Sequence, residues 1–195
     1  MNFQRICVFC GSNLGFNPVY RQAATMLGDL LVARGIGLVY GGGNIGLMGV
    51  LADAMLAKGG NVIGVTPESL MAKEVGHQGV SELRIVKSMH ERKALMADLS
   101  DAFIALPGGY GTFEEFCEVV TWSQLGLHAK PCGLLNVAGY YDSLLGLFDQ
   151  AVHEGFLRKD NRGLVLEDSD PAQLLVKMTE FHTPASGKWI AEDER

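Results

Sequence analysis

The sequence predicts an α/β protein built on a parallel sheet with helices on both faces. Three observations carry the prediction. Short β-rich runs alternate with longer helical patterns along the chain, the order that parallel βαβ units require. Two glycine clusters, Gly41-Gly42-Gly43 and Gly108-Gly109-x-Gly111, each follow a strand-like run and precede a helical one. That is where an open parallel sheet binds its ligands, at the carboxyl ends of the strands. Finally, no repeat and no linker interrupts the alternation, so the chain reads as one domain over residues 1–182, with a polar tail at 183–195.

The elements follow in order. Residues 5–10 read as a strand and 19–34 as an amphipathic helix. Residues 37–40 give a second strand that ends in the triple glycine, and 47–58 a helix stopped by Gly59-Gly60. A third strand at 61–66 is ended by Pro67, and 71–79 reads as loop. Residues 83–86 form a fourth strand. Ser88 and Glu91 make a capping box, S-x-x-E, that opens a helix over 89–99. The fifth strand, 102–106, runs into the second glycine loop, and its helix is expected from Thr112. A sixth strand at 132–136, a helix at 141–154, a short strand at 164–166 and a helix at 171–181 complete the series.

Composition narrows the function classes. A formal charge of −6 argues against nucleic acid as a partner, although a small anionic ligand needs only local positive charge. No apolar run approaches the ~18 residues of a membrane span, and the N-terminus enters a strand too soon for a signal peptide. A cytoplasmic protein without membrane attachment is expected. Cys7 and Cys10 are spaced C-x-x-C, but within a strand positions i and i+3 point to opposite faces. They read as core residues, not as a redox or metal pair. The five histidines show no metal-ligand spacing.

Four clusters could carry chemistry. Gly41-x-Gly43-x-x-Gly46 matches the dinucleotide fingerprint, with Glu68 about 20 residues on. Yet it follows the second strand, and the loop at 108–111 competes for phosphate. A dinucleotide loop, a tight strand-to-helix turn and a nucleotide-lined turn of another kind all remain open. Ser12, at the end of the first strand, either donates to a ligand or caps its turn. Arg92 and Lys93 begin a helix, where cations oppose the macrodipole by ~0.3–1 kcal/mol each. They read either as a solvated pair or as an anion clamp. Thr112 and Glu115 form T-x-x-E, so Glu115 is either a cap or a working carboxylate beside Glu114. Bare glycine amides at a helix start suit a phosphate, and carboxylates in the same turn repel one. A sugar attached to that phosphate gives those acids a task. The helix after Thr112 is apolar nearly all round, so it either forms a homodimer interface or is covered by the C-terminal segment.

Taken together, Met89-His90-x-Arg92-Lys93 and Pro107-Gly108-Gly109-x-Gly111-Thr112-x-Glu114-Glu115 resemble the LOG ("lonely guy") family. These are cytokinin riboside 5′-monophosphate phosphoribohydrolases, long mislabelled lysine decarboxylases. Cys10-Gly11-Ser12 and Gly41-Gly42-Gly43-x-x-Gly46-Leu47-Met48 are similar to the family's other two loops, and the likeness runs from about residue 5 to 181. The resemblance implies a Rossmann-like, doubly wound fold and a homodimer. It also implies hydrolysis of AMP, or an N6-modified AMP, to free base and ribose 5-phosphate, with no cofactor or metal. Arg92 and Glu115 would be catalytic. Ser12, Gly43, Glu74, Met89, Lys93, Gly108, Gly109, Tyr110, Gly111, Thr112, Glu114 and Thr121 would complete the nucleotide site. Thr121 lies off the face of Glu115 by helix phase and shares that of Glu114, so it serves its own site or a neighbour's. The alternative is a non-catalytic carrier or sensor of a phosphorylated ligand, since related folds carry molybdenum cofactor. A pyridoxal phosphate enzyme would need a Schiff-base lysine with a pyridinium partner, and neither is identifiable.

Overall fold

Seven parallel strands form one sheet in the order β4-β3-β2-β1-β5-β6-β7 in a computed structural model that describes residues 2–71 and 76–182. The strands are β1 (Arg5–Phe9), β2 (Gly37–Tyr40), β3 (Val62–Pro67), β4 (Glu82–Val86), β5 (Ala102–Ala105), β6 (Cys132–Leu135) and β7 (Val165–Asp168). Helices α1 (Pro18–Ala33), α2 (Gly46–Leu56), α3 (Glu68–Met71), α4 (Met89–Asp98), α5 (Tyr110–Gln124), α6 (Asp142–His153), α7 (Lys159–Arg162) and α8 (Pro171–Thr179) connect them. The order in which strands are added reverses at β1, which pairs in parallel with β2 on one side and β5 on the other. This is the doubly wound, Rossmann-like arrangement, with its crevice between the loops that follow β1 and β5.

Two apolar layers sandwich the sheet. One gathers Ile6, Val8, Leu38, Tyr40 and Ile104 against α1, α2 and α8 through Leu27, Leu31, Leu51, Met55 and Leu174. The other gathers Cys7, Phe9, Val39, Val65 and Phe103 against α4, α5 and α6 through Met96, Phe116, Val119 and Leu145. Cys7 lies in the second layer and Cys10 in the first, so the C-x-x-C pair straddles the sheet as strand alternation requires. All four cysteines are free. The central strands are buried apart from Arg5 at the start of β1, whereas the edge strand β4 has only exposed and half-buried positions.

Helix starts follow their caps. Asn17 accepts from Val19 N at 3.1 Å with Pro18 behind it, and Asp170 accepts from Ala172 and Gln173 with Pro171 behind it. Three expectations need correction. Pro67 closes β3 inside the ladder, paired with Val86, and α3 starts directly after it. Within 71–79, Met71 ends α3 and Gly76 bridges Gly43, so that stretch is not loop throughout. Helix α5 begins at Tyr110, two residues earlier than expected, and its consequences belong to the site. Residues 183–195 lie outside the described residues.

Candidate active site

The glycine loops meet at the crevice as backbone on backbone. Gly11 N donates to Pro107 O at 3.0 Å, and Leu47 N donates to Gly11 O at 3.0 Å. Gly46 adopts φ 62° and packs so closely on Ser12 that a Cβ would overlap its main chain. The Gly41–Gly46 glycines therefore serve a tight strand-to-helix turn that seats α2 against the β1 loop. Gly43 takes part in a bridge to Gly76.

Helix α5 opens on Gly109, an N-cap with no side-chain hydrogen bond. The first bond of its ladder runs from Phe113 N to Gly109 O at 3.1 Å. The amides of Tyr110, Gly111 and Thr112 precede it and lie beyond the reach of i→i−4 partners. This overturns the T-x-x-E capping box. Thr112 is buried in the first turn, and Glu115 sits one turn inside the helix, too far along to cap anything. The loop before α5 is held from above by Tyr140, whose hydroxyl donates to Gly108 O, and by Tyr141, whose hydroxyl donates to Leu106 O at 2.7 Å.

Helix α4 starts on a true cap. Ser88 Oγ accepts from Glu91 N at 3.1 Å, while Glu91 reaches one residue further back than a standard box, to Lys87 N at 2.8 Å. Because β4 is at the sheet edge and β5 beside β1, α4 must carry the chain back across the sheet. That crossing, not strand adjacency, brings Arg92 to Glu115. Arg92 is 7% exposed, so it is no solvated surface cation. Its Nε donates to Val65 O at 3.0 Å and its Nη2 to Gly41 O at 3.1 Å. A side chain at position 41 would collide with the guanidinium, which gives that glycine its reason. Arg92 Nη1 lies 3.9 Å from Met89 Sδ and 3.4 Å from Glu115 Oε1. The last distance is long for a charge-assisted bond.

Glu115 is only 12% exposed in its side chain. Burial pushes its carboxyl up to about 7, against the opposing pull of Arg92. A carboxyl poised near neutrality can take or give a proton during a reaction. Glu115 and Arg92 share a cavity with Cys10, Gly11, Ser12, Met48, Gly109, Tyr110, Gly111 and Thr112. A second, more apolar cavity continues past Gly108 to Leu14, Tyr20, Leu47 and Tyr140.

The structure thus gathers Ser12, Arg92, Gly109, Tyr110, Gly111, Thr112 and Glu115 around one space, with Gly108 at its border and Met89 beside Arg92. Lys93 and Glu114 pair with each other at its flank, and Lys93 also reaches Glu118. Thr121 lines a separate groove with Cys117, Val120, Gln124, Phe148 and Leu157, as its helix phase requires. Glu74 lies outside the described residues. Sequence reasoning passed over Glu118, which a helical i+4 count from Glu114 would have found. It also passed over the carbonyls of Gly41 and Val65 and the hydroxyl of Tyr140, for which no local pattern exists.

Known proteins resemble this chain. The family model described as "Possible lysine decarboxylase" matches residues 48–178. Cytokinin riboside 5′-monophosphate phosphoribohydrolase LOG of Oryza sativa subsp. japonica is 55% identical over 179 residues, covering 92% of this chain and 74% of that protein. LOG1 of Arabidopsis thaliana, of the same name and activity, is 54% identical over 186 residues, covering 95% of this chain and 87% of that protein. Among solved structures, the molybdenum cofactor binding protein of the phototrophic bacterium Rippkaea orientalis superposes with a TM-score of 0.66 at 23% identity, covering 92% of this chain and 97% of that one. The molybdenum cofactor carrier protein of Chlamydomonas reinhardtii gives 0.67 at 20%, covering 90% and 96%. At such identity these two speak for the fold alone. The sequence relatives speak for more, and this chain belongs to the LOG family of cytokinin riboside 5′-monophosphate phosphoribohydrolases.

Proposed function

We propose that the protein is a phosphoribohydrolase that cleaves the N-glycosidic bond of AMP or an N6-substituted AMP, cytokinin riboside monophosphates included. The products are the free base and ribose 5-phosphate. The observation that carries this reading is a buried carboxyl near neutrality, one turn inside a helix whose N-terminus is uncapped. The 5′-phosphate takes the open amides at Tyr110, Gly111 and Thr112, with Ser12 beside them. The ribose then lies over Glu115. As the C1′–N bond breaks, positive charge builds on the ring, and the Glu115 carboxylate stabilises it while accepting a proton from the attacking water. The water oxygen bonds to C1′, and the departing base nitrogen takes up the bonding pair and a proton. Arg92, locked by two main-chain carbonyls, keeps Glu115 in place and balances charge between carboxylate and phosphate.

The same geometry disfavours decarboxylase chemistry at Lys93. Burial alone would lower its pKa, but the hydrogen bonds to Glu114 and Glu118 raise it. A Schiff-base lysine must be free to lose its proton. Among the described residues no helix is long and apolar enough to cross a membrane. We infer a cytoplasmic protein that forms a homodimer, the dimer being supported by the groove along α5 and by exposed Leu127, Leu147 and Phe156 nearby in sequence.

The decisive experiment incubates the protein with AMP and, separately, with isopentenyladenosine monophosphate, and separates the products by chromatography. Adenine or isopentenyladenine should appear together with an equal amount of ribose 5-phosphate. Intact substrate in both reactions, or a nucleoside with inorganic phosphate instead, would sink the reading.

A further inference from the structure

Helix α5 carries three carboxylates, Glu114, Glu115 and Glu118, and the N-terminal part of α4 turns two cations toward them. The two cations differ in what they hold. Arg92 lies under Glu115, anchored to the sheet. Lys93 lies to the side, with its side chain 10% exposed. Its Nζ donates to Glu118 Oε1 at 3.0 Å and to Glu114 Oε1. Two of the three ammonium donors are thereby directed at carboxylates. Glu118 Oε2 is buried and accepts no hydrogen bond, so Lys93 supplies that carboxylate's charged contact. A phosphate clamp would present its ammonium to the cavity that Glu115 shares with the α5 amides, yet Lys93 is not among the residues lining it.

We propose that Lys93 is a positioning residue for Glu115: by pairing with Glu114 and Glu118 it screens their charge, and so favours the carboxylate form of Glu115, without touching the substrate's phosphate. The proposal rests on the reading of Glu115 as the working carboxylate. Its sign follows from the charges around that group. From α4, Arg92 and Lys93 favour the ionised form, and from α5, Glu114 and Glu118 oppose it. From β1 and its end, Cys7 and Cys10 face Glu115 as buried thiols whose own ionisation burial suppresses. Removing Lys93 deletes one favourable charge and unmasks two unfavourable ones. Removing Glu118 does the reverse.

The test has two readouts. The first is the pH dependence of kcat/KM on AMP for the wild type, Lys93→Met and Glu118→Gln. The second is the carboxyl titration of Glu115 by 13C NMR in each protein, assigned by its loss in Glu115→Gln. In the wild type the rate should rise with pH through about 7, the position burial imposes on Glu115. In Lys93→Met both the rate limb and the titration should move up by about one pH unit, the effect of one added charge at an effective dielectric of about 20. In Glu118→Gln both should move down by a smaller amount. An unmoved titration in Lys93→Met, with KM for AMP raised about tenfold, overturns the proposal and makes Lys93 a phosphate ligand. If Lys93→Met does not fold, Glu118→Gln decides alone, and an unmoved titration there overturns the proposal. The NMR titration needs no turnover. A protein that leaves AMP intact would therefore fail the hydrolase reading while this inference is still decided.

Discussion

Two helix starts meet at the crevice, and they are built in opposite ways. Helix α4 is closed by its own side chains: Ser88 accepts from Glu91, and Glu91 turns back to Lys87. With its cap made by its own residues, it leaves Arg92 to reach the main chain beneath it. Helix α5 has no such closure. Its N-cap is Gly109, and its first amides are left to whatever enters the cavity. A closed start positions side chains, and an open start binds anions. The site needs one of each. Local sequence distinguishes them poorly, because each has, at or near its start, a hydroxyl residue followed three places later by glutamate.

The sharpest way to break this division is to remove the group that both starts converge upon. Glu115→Gln keeps shape and hydrogen bonding but abolishes the carboxylate. Turnover on AMP should fall about 10³-fold, within the range for loss of a general base or a charge-stabilising group. The Kd for AMP, by calorimetry, should stay within about threefold, since the proposed mode gives the phosphate to the α5 amides and not to Glu115. Turnover within tenfold of wild type would remove Glu115 from the chemistry. An AMP affinity lost along with turnover would mean that Glu115 binds more than it reacts.

A second variant probes the open start itself. Tyr110 occupies the first helical position, where proline is well accepted, and the preceding Gly109 has extended backbone (φ −100°, ψ −153°) that suits a residue before proline. Tyr110→Pro therefore deletes one amide donor without disturbing the helix. KM for AMP should rise about tenfold, the cost of one charge-assisted hydrogen bond, while Tm holds or rises slightly. The Tyr110 ring is fully exposed, so Tyr110→Ala separates the ring's contribution from that of the amide. If Tyr110→Ala and Tyr110→Pro raise KM equally, the amide holds no phosphate.

How much of this was legible beforehand depends on the range of the cause. Strand alternation placed Cys7 and Cys10 on opposite faces, and the alternation of strand and helix patterns located the seven strands, because both effects act within a few residues. The start of α5 was misread because Thr112 and Glu115 satisfy a capping pattern that the glycine turn pre-empts. Gly108 brings the chain so close to Gly11 and Thr112 that the helix begins earlier, at Tyr110. The meeting of Arg92 with Glu115 depends on a long crossover, which no local pattern encodes. Their strands are separated by three others, and α4 crosses back over the sheet. The partners of Lys93 and the carbonyls beneath Arg92 are tertiary contacts between residues 21 to 51 positions apart, which no local pattern encodes.

The smallest expected effect falls on the closed start. Ser88→Ala removes the side-chain acceptor for Glu91 N. Loss of such a cap costs about 1 kcal/mol, which for a domain of this size lowers Tm by about 2–4 °C. Catalysis should be nearly indifferent, with kcat on AMP within about twofold. The reason is that Arg92 is fixed by the carbonyls of Val65 in β3 and Gly41 just past β2, and not by the cap of its own helix. Thermal melting and a single saturating rate measurement check both halves. A tenfold fall in kcat with an unchanged Tm would reverse the assignment. The cap would then be aiming Arg92 at Glu115, and the two main-chain carbonyls would be too weak an anchor to hold it.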